Sequence, residues 1–246
     1  LPCEGYLLED SGKITKRTYE GKERSINNIT NFNIYSEEFF RLLGYYLAEG
    51  HYYDKVKGSE NVGFTFNINE SEYIRDVKEI LESFGAAVSI VENTSDNSTK
   101  ITTSSKVISS ALFLLCGKHS GSKILSKEIY LAPLQYQKQL LSGVIRGDGS
   151  TVISGFTLTL HNKELMYQLR DICLRCEYYF CLTSYKKIPI HSKTLPYNIR
   201  INVSADSELA QLVNKDLHKM RQTKVCVGSY NILYREDGAY GRVRLI

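Results

Sequence analysis

The sequence predicts an α+β fold: two pseudo-twofold-related α-β-β-α-β-β-α units, each a four-stranded antiparallel sheet with helices on one face, packed through one helix from each unit. Three observations carry this: an internal duplication, period-two alternation in the segments that follow each repeat, and apolar stripes at helical spacing. Leu42-Leu43-Gly44-Tyr45-Tyr46-Leu47-Ala48-Glu49-Gly50 is echoed 99 residues later by Leu141-Ser142-Gly143-Val144-Ile145-Arg146-Gly147-Asp148-Gly149. Gly63-Phe64-Thr65-Phe66-Asn67 returns as Gly155-Phe156-Thr157-Leu158-Thr159, and Ile101-Thr102-Thr103-Ser104 as Ile201-Asn202-Val203-Ser204. Because the order is kept, the chain reads as a duplicated unit of about 100 residues. It divides into an N-terminal extension (1–35), a first half (36–132) and a second half (133–246).

Each element follows from local chemistry. Ser36 with Glu37 and Glu38 makes an N-cap and an acidic first turn for a helix running to Glu49, where Gly50 stops it. Pro133 opens the matching helix of the second half. Val62, Phe64 and Phe66 alternate with Gly63, Thr65 and Asn67, and Phe156, Leu158 and Leu160 with Thr157, Thr159 and His161, the period of half-buried strands. Ser71 to Phe84 places Ile74, Val77, Ile80, Leu81 and Phe84 on one helical stripe, as do Leu165, Leu169, Ile172 and Cys176. Two further strands follow in each half, around Ala87–Val91 with Lys100–Ser104 and around Phe180–Tyr185 with Asn198–Val203. Helices on one face leave the other face of each sheet open.

At 246 residues, 42% hydrophobic and 24% charged, the chain has globular composition and can bury a core without disulfides or a structural metal. Its six cysteines are dispersed and no apolar leader precedes them, so a reduced intracellular setting, not secretion, is expected. No apolar run approaches the 18 residues of a membrane span. The net charge of +4 permits a polyanionic partner without requiring one.

The repeated helix carries the chemistry. Gly44 and Ala48 stand four apart, as do Gly143 and Gly147, and small residues at that spacing let two helices approach closely. Pairing them brings Glu49 and Asp148 together at one end. Carboxylates are disfavoured at a helix C-terminus and repel one another, unless a proton or cations intervene. Hard divalent cations answer both problems, and two carboxylates beside terminal carbonyls suit metal-assisted phosphodiester hydrolysis.

The two segments resemble the paired motifs of the LAGLIDADG homing endonucleases in their single-chain, double-motif form, with the likeness running from about Ser36 to Lys224. The resemblance implies that Glu49 and Asp148 bind the catalytic divalent metals, with Ala48 and Gly147 beside them as carbonyl ligands. It implies Mg²⁺ as cofactor, with Mn²⁺ substituting and Ca²⁺ binding without cleavage. The family's late basic residues map by position onto Lys123 and Lys224, 74 and 76 residues after their acids, with Lys118, Lys127 and Lys219 close by. The implied reaction is double-strand cleavage of a long specific DNA site, leaving short 3′ overhangs, by a monomer with internal pseudo-twofold symmetry and no obligate protein partner. At the family's earlier acidic position stand Leu47 and Arg146, a departure expected to touch the helix exterior more than the metal site.

The open sheet faces are the expected DNA-reading surface, because a β-ribbon fits the major groove. Alternation assigns Thr65, Asn67, Lys100 and Thr102 in the first half, and Thr157, Thr159, Asn198, Arg200 and Asn202 in the second, joined by Tyr52, Tyr53 and Lys55. Cys173-Leu174-Arg175-Cys176 lacks a second pair at zinc spacing and reads as core. His51 and His161 read as polar surface or DNA contacts, and Lys186-Lys187 as a solvated turn. Residues 1–35, with Lys13, Lys16, Arg17, Lys22 and Arg24, read as an extra DNA-contacting arm or a remnant of a host protein. A complete intein would begin with Cys or Ser and end in His-Asn; the chain runs from Leu1 to Ile246, as an endonuclease domain cut from an intein would. Two other functions fit the same pattern: an RNA maturase assisting intron splicing, and a DNA-binding regulator without cleavage.

Overall fold

A computed structural model describes residues 6–8, 13–16, 32–54, 60–185, 188 and 194–220. Near the N-terminus β1 (Tyr6–Leu8), β2 (Lys13–Lys16) and β3 (Phe32–Asn33) form a three-stranded antiparallel sheet that the sequence reading did not anticipate. The first half then runs α1 (Glu37–Glu49), β4 (Gly50–Asp54), β5 (Glu60–Asn67), α2 (Ser71–Ser83), β6 (Val88–Asn93), β7 (Ser98–Thr103) and α3 (Lys106–Cys116). After a connection containing α4 (Lys127–Tyr130), the second half runs α5 (Leu134–Asp148), β8 (Gly149–Val152), β9 (Gly155–Leu160), α6 (Lys163–Arg175), β10 (Tyr179–Ser184), β11 (Tyr197–Asn202) and α7 (Glu208–Val213). The two sheets have corresponding orders, β4-β5-β7-β6 and β8-β9-β11-β10, with every neighbouring pair antiparallel.

Ser36 caps α1 as the sequence suggests, and further helices are capped in the same way. Ser36 Oγ accepts from the Phe39 amide at 3.1 Å, Ser105 Oγ from Ile108, Asn162 Oδ1 from Leu165, and Ser207 Oγ from Ala210, each satisfying a first-turn donor. The apolar strand positions Val62, Phe64, Phe66 and Ile101 are buried beneath the helices, as are Phe156, Leu158, Ile199 and Ile201. Tyr45 packs edge-on against Phe66, and Tyr46 against Phe64. Cys116, Cys173 and Cys176 are buried free thiols of this core.

The halves meet along α1 and α5, where glycine is required by contact. A Cβ on Gly44 would overlap the Leu140 carbonyl oxygen and lie 2.8 Å from Gly143 Cα; one on Gly143 would overlap the Arg41 carbonyl oxygen and lie 3.0 Å from Gly44 Cα. The helix backbones therefore touch with no side chain between them. At the margins of this seam Arg41 pairs with both oxygens of Asp76 and reaches Gln139 across the interface, while Gln139 donates to Glu37. Among the described residues no helix is long and apolar enough to cross a membrane.

Candidate active site

Glu49 is the last residue of α1 and Asp148 the last of α5, so the seam delivers both carboxylates to the same end of the paired helices. The approach stays tight to that end. A Cβ on Gly147 would meet Ala48 Cβ at 2.5 Å and Glu49 Cγ at 3.1 Å, with Glu49 Oε1 at 3.7 Å. Gly147 thus makes room for the Glu49 side chain, and any larger residue would displace it.

The environment opposes charge on both acids. Burial, followed by the charges of Asp148 and Glu70, pushes Glu49 up to about 7 despite Lys215 and Lys123. Burial likewise raises Asp148, against the pull of Lys123 and Lys215. A half-buried Glu49 and a more exposed Asp148 at helix C-terminal ends form a hard, oxygen-only donor set that gains most from a cation. Among the described residues there is no group of three or more His, Cys, Asp or Glu that could hold a metal. A divalent ion here would rest on Glu49, Asp148 and the backbone at Ala48 and Gly147, with water or phosphate oxygens completing its shell. That matches Mg²⁺, which keeps several waters and shares carboxylates with phosphates.

Lys123 is buried, and its three ammonium protons go to backbone carbonyls at the end of α1: Tyr46 at 2.5 Å, Leu47 at 3.1 Å and Gly50 at 2.8 Å. It acts as a cationic cap on the negative end of the helix that presents Glu49. Burial lowers its ammonium to about 8, opposed by Cys116, Asp148 and Glu49. The neighbouring lysines are elsewhere: Lys118 stands over the Tyr52 ring at 3.8 Å, Lys127 opens α4, and Lys219 pairs with Asp216. Lys224 lies outside the described residues.

In the described part of the second half the corresponding cation is Lys215, which sequence reasoning missed. Its Nζ donates to the Arg146 carbonyl at 2.9 Å, as Lys123 does to that of Leu47, the equivalent motif position. Lys215 is more open and lies 3.7 Å from Glu70, leaving it donors that Lys123 does not have. Its signal was available in the sequence: it follows the last helix of its half by two residues, but a shorter connection than that of Lys123 spoils the match by count.

The departures at the motif's sixth position are not on the helix exterior. Leu47 is 4% exposed, and the Arg146 guanidinium is enclosed by Asp76, Tyr45, Leu212 and Val213. The paired helices have few exterior positions, because sheets and partner helix surround them.

The registers fix the open faces. Thr65 lies opposite Lys100 and Gly63 opposite Thr102, with Asn67 exposed at the strand end. On the second sheet Thr157, Arg200 and Cys181 form one row and Thr159, Asn198 and Thr183 the next; Asn202 lies opposite Tyr179. Asn198 Nδ2 bridges Thr157 and Thr159, at 2.9 and 2.8 Å. Tyr52 needs correction. It pairs with Val62 on the helix-covered face and carries Lys118 on its ring, so it does not join the open surface. The position that does is His51, opposite Gly63, with Nδ1 3.4 Å from the Glu49 carbonyl and a pKa lowered chiefly by burial. Tyr53 pairs with Asn61 through its backbone, and Lys55 lies outside the described residues. His161 sits off the reading rows, with Nδ1 near Thr194.

Two four-stranded sheets joined by paired helices that end in acids define a double-motif α+β protein of the LAGLIDADG type. A family model described as LAGLIDADG-like domain matches residues 36–118, the half that carries the first motif, and this match together with the duplicated fold supports the double-motif form of the LAGLIDADG family. Among solved structures it resembles mesophilic variants of the homing endonuclease I-DmoI (TM-score 0.53, 16% identity, 74% of this chain and 96% of that one). The structure of I-DmoI in complex with DNA and Mn gives the same figures. Full-length DUF199/WhiA from Thermatoga maritima is also similar (TM-score 0.50, 15% identity, 74% of this chain and 57% of that one). At these identities the likeness is one of fold. By sequence, an uncharacterized protein of Methanocaldococcus jannaschii is 31% identical over 218 residues, covering 82% of this chain and 23% of that protein. An iron-sulfur cluster assembly SufBD family protein of Mycobacterium tuberculosis is 29% identical over 147 residues, covering 58% and 17%. The chain spans about a fifth of the length of the curated relatives it matches.

Proposed function

We propose that this protein is a site-specific homing DNA endonuclease, an Mg²⁺-dependent phosphodiester hydrolase that breaks both strands of a long duplex target. The observation that carries this reading is the convergence of Glu49 and Asp148, each held uncomfortably charged, at the shared end of two touching helices. A binding protein gains nothing from that arrangement, whereas bound cations relieve it. Divalent ions there would neutralise phosphate charge and acidify a water in line with the scissile bond. Glu49 and Asp148 would orient that water on either strand. Lys215, with donors to spare, would stabilise charge developing on the phosphate, while Lys123 holds the end of α1 in place. Hydrolysis adds water across the P–O3′ bond; the leaving oxygen takes up a proton, and staggered cuts leave short 3′ overhangs.

The open rows of Thr65, Asn67, Lys100 and Thr102, and of Thr157, Thr159, Asn198, Arg200 and Asn202, would read the major groove on either side of the cut. A similar segment recurs as a minor part of longer proteins with different names, which supports a module carried within a host protein. Its active form is a monomer, since both acids come from one chain.

The test is incubation with a randomised duplex library in Mg²⁺, Mn²⁺, Ca²⁺ or EDTA. Cutting is expected with Mg²⁺ and Mn²⁺ and binding alone with Ca²⁺. Glu49→Gln and Asp148→Asn should each lower double-strand cleavage by at least ~10³-fold with DNA affinity retained. Binding without cutting under all conditions would make the protein a regulator, and RNA binding that promotes intron splicing would make it a maturase.

A further inference from the structure

We propose that Arg146 is a positioning residue that sets Lys215 at the acid-bearing end of α5, facing Glu49 as well as Asp148, and that its loss slows one of the two strands far more than the other; this rests on the endonuclease reading above. Arg146 occupies the sixth motif position of α5, two residues before Asp148. Its guanidinium joins three elements. Nη1 donates to Asp76 Oδ2 at 2.8 Å and to the Tyr45 hydroxyl at 2.9 Å, both in the first half. Nη2 donates to the Leu212 carbonyl at 2.7 Å and Nε to that of Val213 at 3.2 Å, the last turn of α7. Those two carbonyls would otherwise be the orphan acceptors of a helix end.

The chain leaving that turn is held at each step. Asn214 adopts the left-handed conformation, φ 48°, that ends the helix, and its side chain reaches Glu72. Lys215 then returns its Nζ to the Arg146 carbonyl, and its own carbonyl accepts from Thr151 Oγ1 at 2.6 Å. The side chain of Arg146 therefore fixes the segment whose lysine binds the backbone of Arg146, a closed loop that holds the ammonium at the end of α5, 3.7 Å from Glu70. Asp76, shared with Arg41 through a two-pronged ion pair, anchors the loop to the opposite half.

Among the described residues the first half shows no such device. Leu47 stands where Arg146 does, and Lys123 is fixed by three carbonyls directly. Loss of the guanidinium should therefore loosen one lysine and not the other. Arg146→Lys keeps the charge but cannot serve two carbonyls and a carboxylate together, since it lacks the planar fork.

The experiment uses supercoiled plasmid bearing the selected target, with each strand end-labelled. Wild-type protein is expected to give linear product. Arg146→Lys should accumulate nicked circles, the uncut strand always the same, with cleavage of that strand slowed at least ~30-fold and of the other less than ~3-fold. Asp76→Asn should slow the same strand by less. Arg41→Gln, which shares Asp76 but does not touch α7, should leave the strand ratio unchanged. Melting temperature and DNA affinity are measured for each variant. Equal slowing of both strands by Arg146→Lys, or a normal ratio in a folded variant, overturns the proposal; failure of the wild type to cut either strand overturns the endonuclease reading instead.

Discussion

The end of α1 and the end of α5 solve one problem with different parts. Each must hold a carboxylate at the negative pole of a helix. In the first half a single buried lysine places all its protons on the terminal carbonyls. In the second, a more open lysine takes one carbonyl, and an arginine within the motif ties the following segment to the other half. Among the described residues the backbone frame is duplicated, while the cations around it are not. A pseudo-twofold axis in the fold therefore does not impose equal roles on residues related by it.

The largest expected effect attacks what the halves share. Gly44→Val adds carbon where a single Cβ already overlaps the Leu140 carbonyl and presses on Gly143 Cα, and backbone on both sides cannot yield as a flexible side chain would. A loss of more than ~3 kcal/mol, read as a drop in the urea midpoint, is expected. Gly143→Val should match it within ~1 kcal/mol, because its contacts are the mirror of those at Gly44. A tolerated substitution at either position would show that the helices are not in backbone contact in solution.

The two lysines should respond differently, and this is the sharpest test of their inequality. Lys123→Met leaves three carbonyls at a buried helix end without donors, so a loss of about 3 kcal/mol is expected from the charge-assisted bonds alone. Lys215→Met gives up one carbonyl bond at a more open site and should cost about 1 kcal/mol of stability. Cleavage should show the reverse emphasis: Lys215→Met lowers the rate by about 10²-fold at saturating Mg²⁺ with the protein still folded. Equal stability losses at the two positions would erase the distinction between a helix cap and a group free to meet substrate.

What the sequence disclosed and what it withheld divide along the same line. The element order, the strand faces and the pairing of Glu49 with Asp148 follow from local periodicity and from a repeat visible by eye. Gly44 and Gly143 announced the seam because only close contact requires glycine within a helix. Lys215 and Arg146 were not legible as a pair, since their meeting depends on where α7 ends in space, 65 residues after Asp148, and not on any spacing held in common with the first half. Tyr52 was misplaced for a smaller reason. It was assigned together with Tyr53 for following the motif, but strand β4 begins at Gly50, directly after the helix, and successive strand residues point to opposite faces.

The smallest effect is a pH dependence of stability without metal. Glu49 is raised from 4.5 to about 7 in the folded protein, so between those values the native state holds a proton that the unfolded chain has released. Stability contributed by this group is then present at low pH and is lost as pH rises from about 4.5 through 7, levelling above. Asp148, raised in the same direction, adds to the slope. In EDTA the melting temperature should therefore fall over this window more steeply for wild type than for Glu49→Gln, which keeps only the contribution of Asp148, and Glu49→Gln should be the more stable of the two at pH 8. Saturating Ca²⁺ binds the deprotonated form and should reverse the order at pH 8, stabilising wild type and leaving Glu49→Gln nearly unmoved. If the two proteins track one another across the window with and without Ca²⁺, Glu49 is solvated as an ordinary surface acid, and the two helix ends do not share a common cation site.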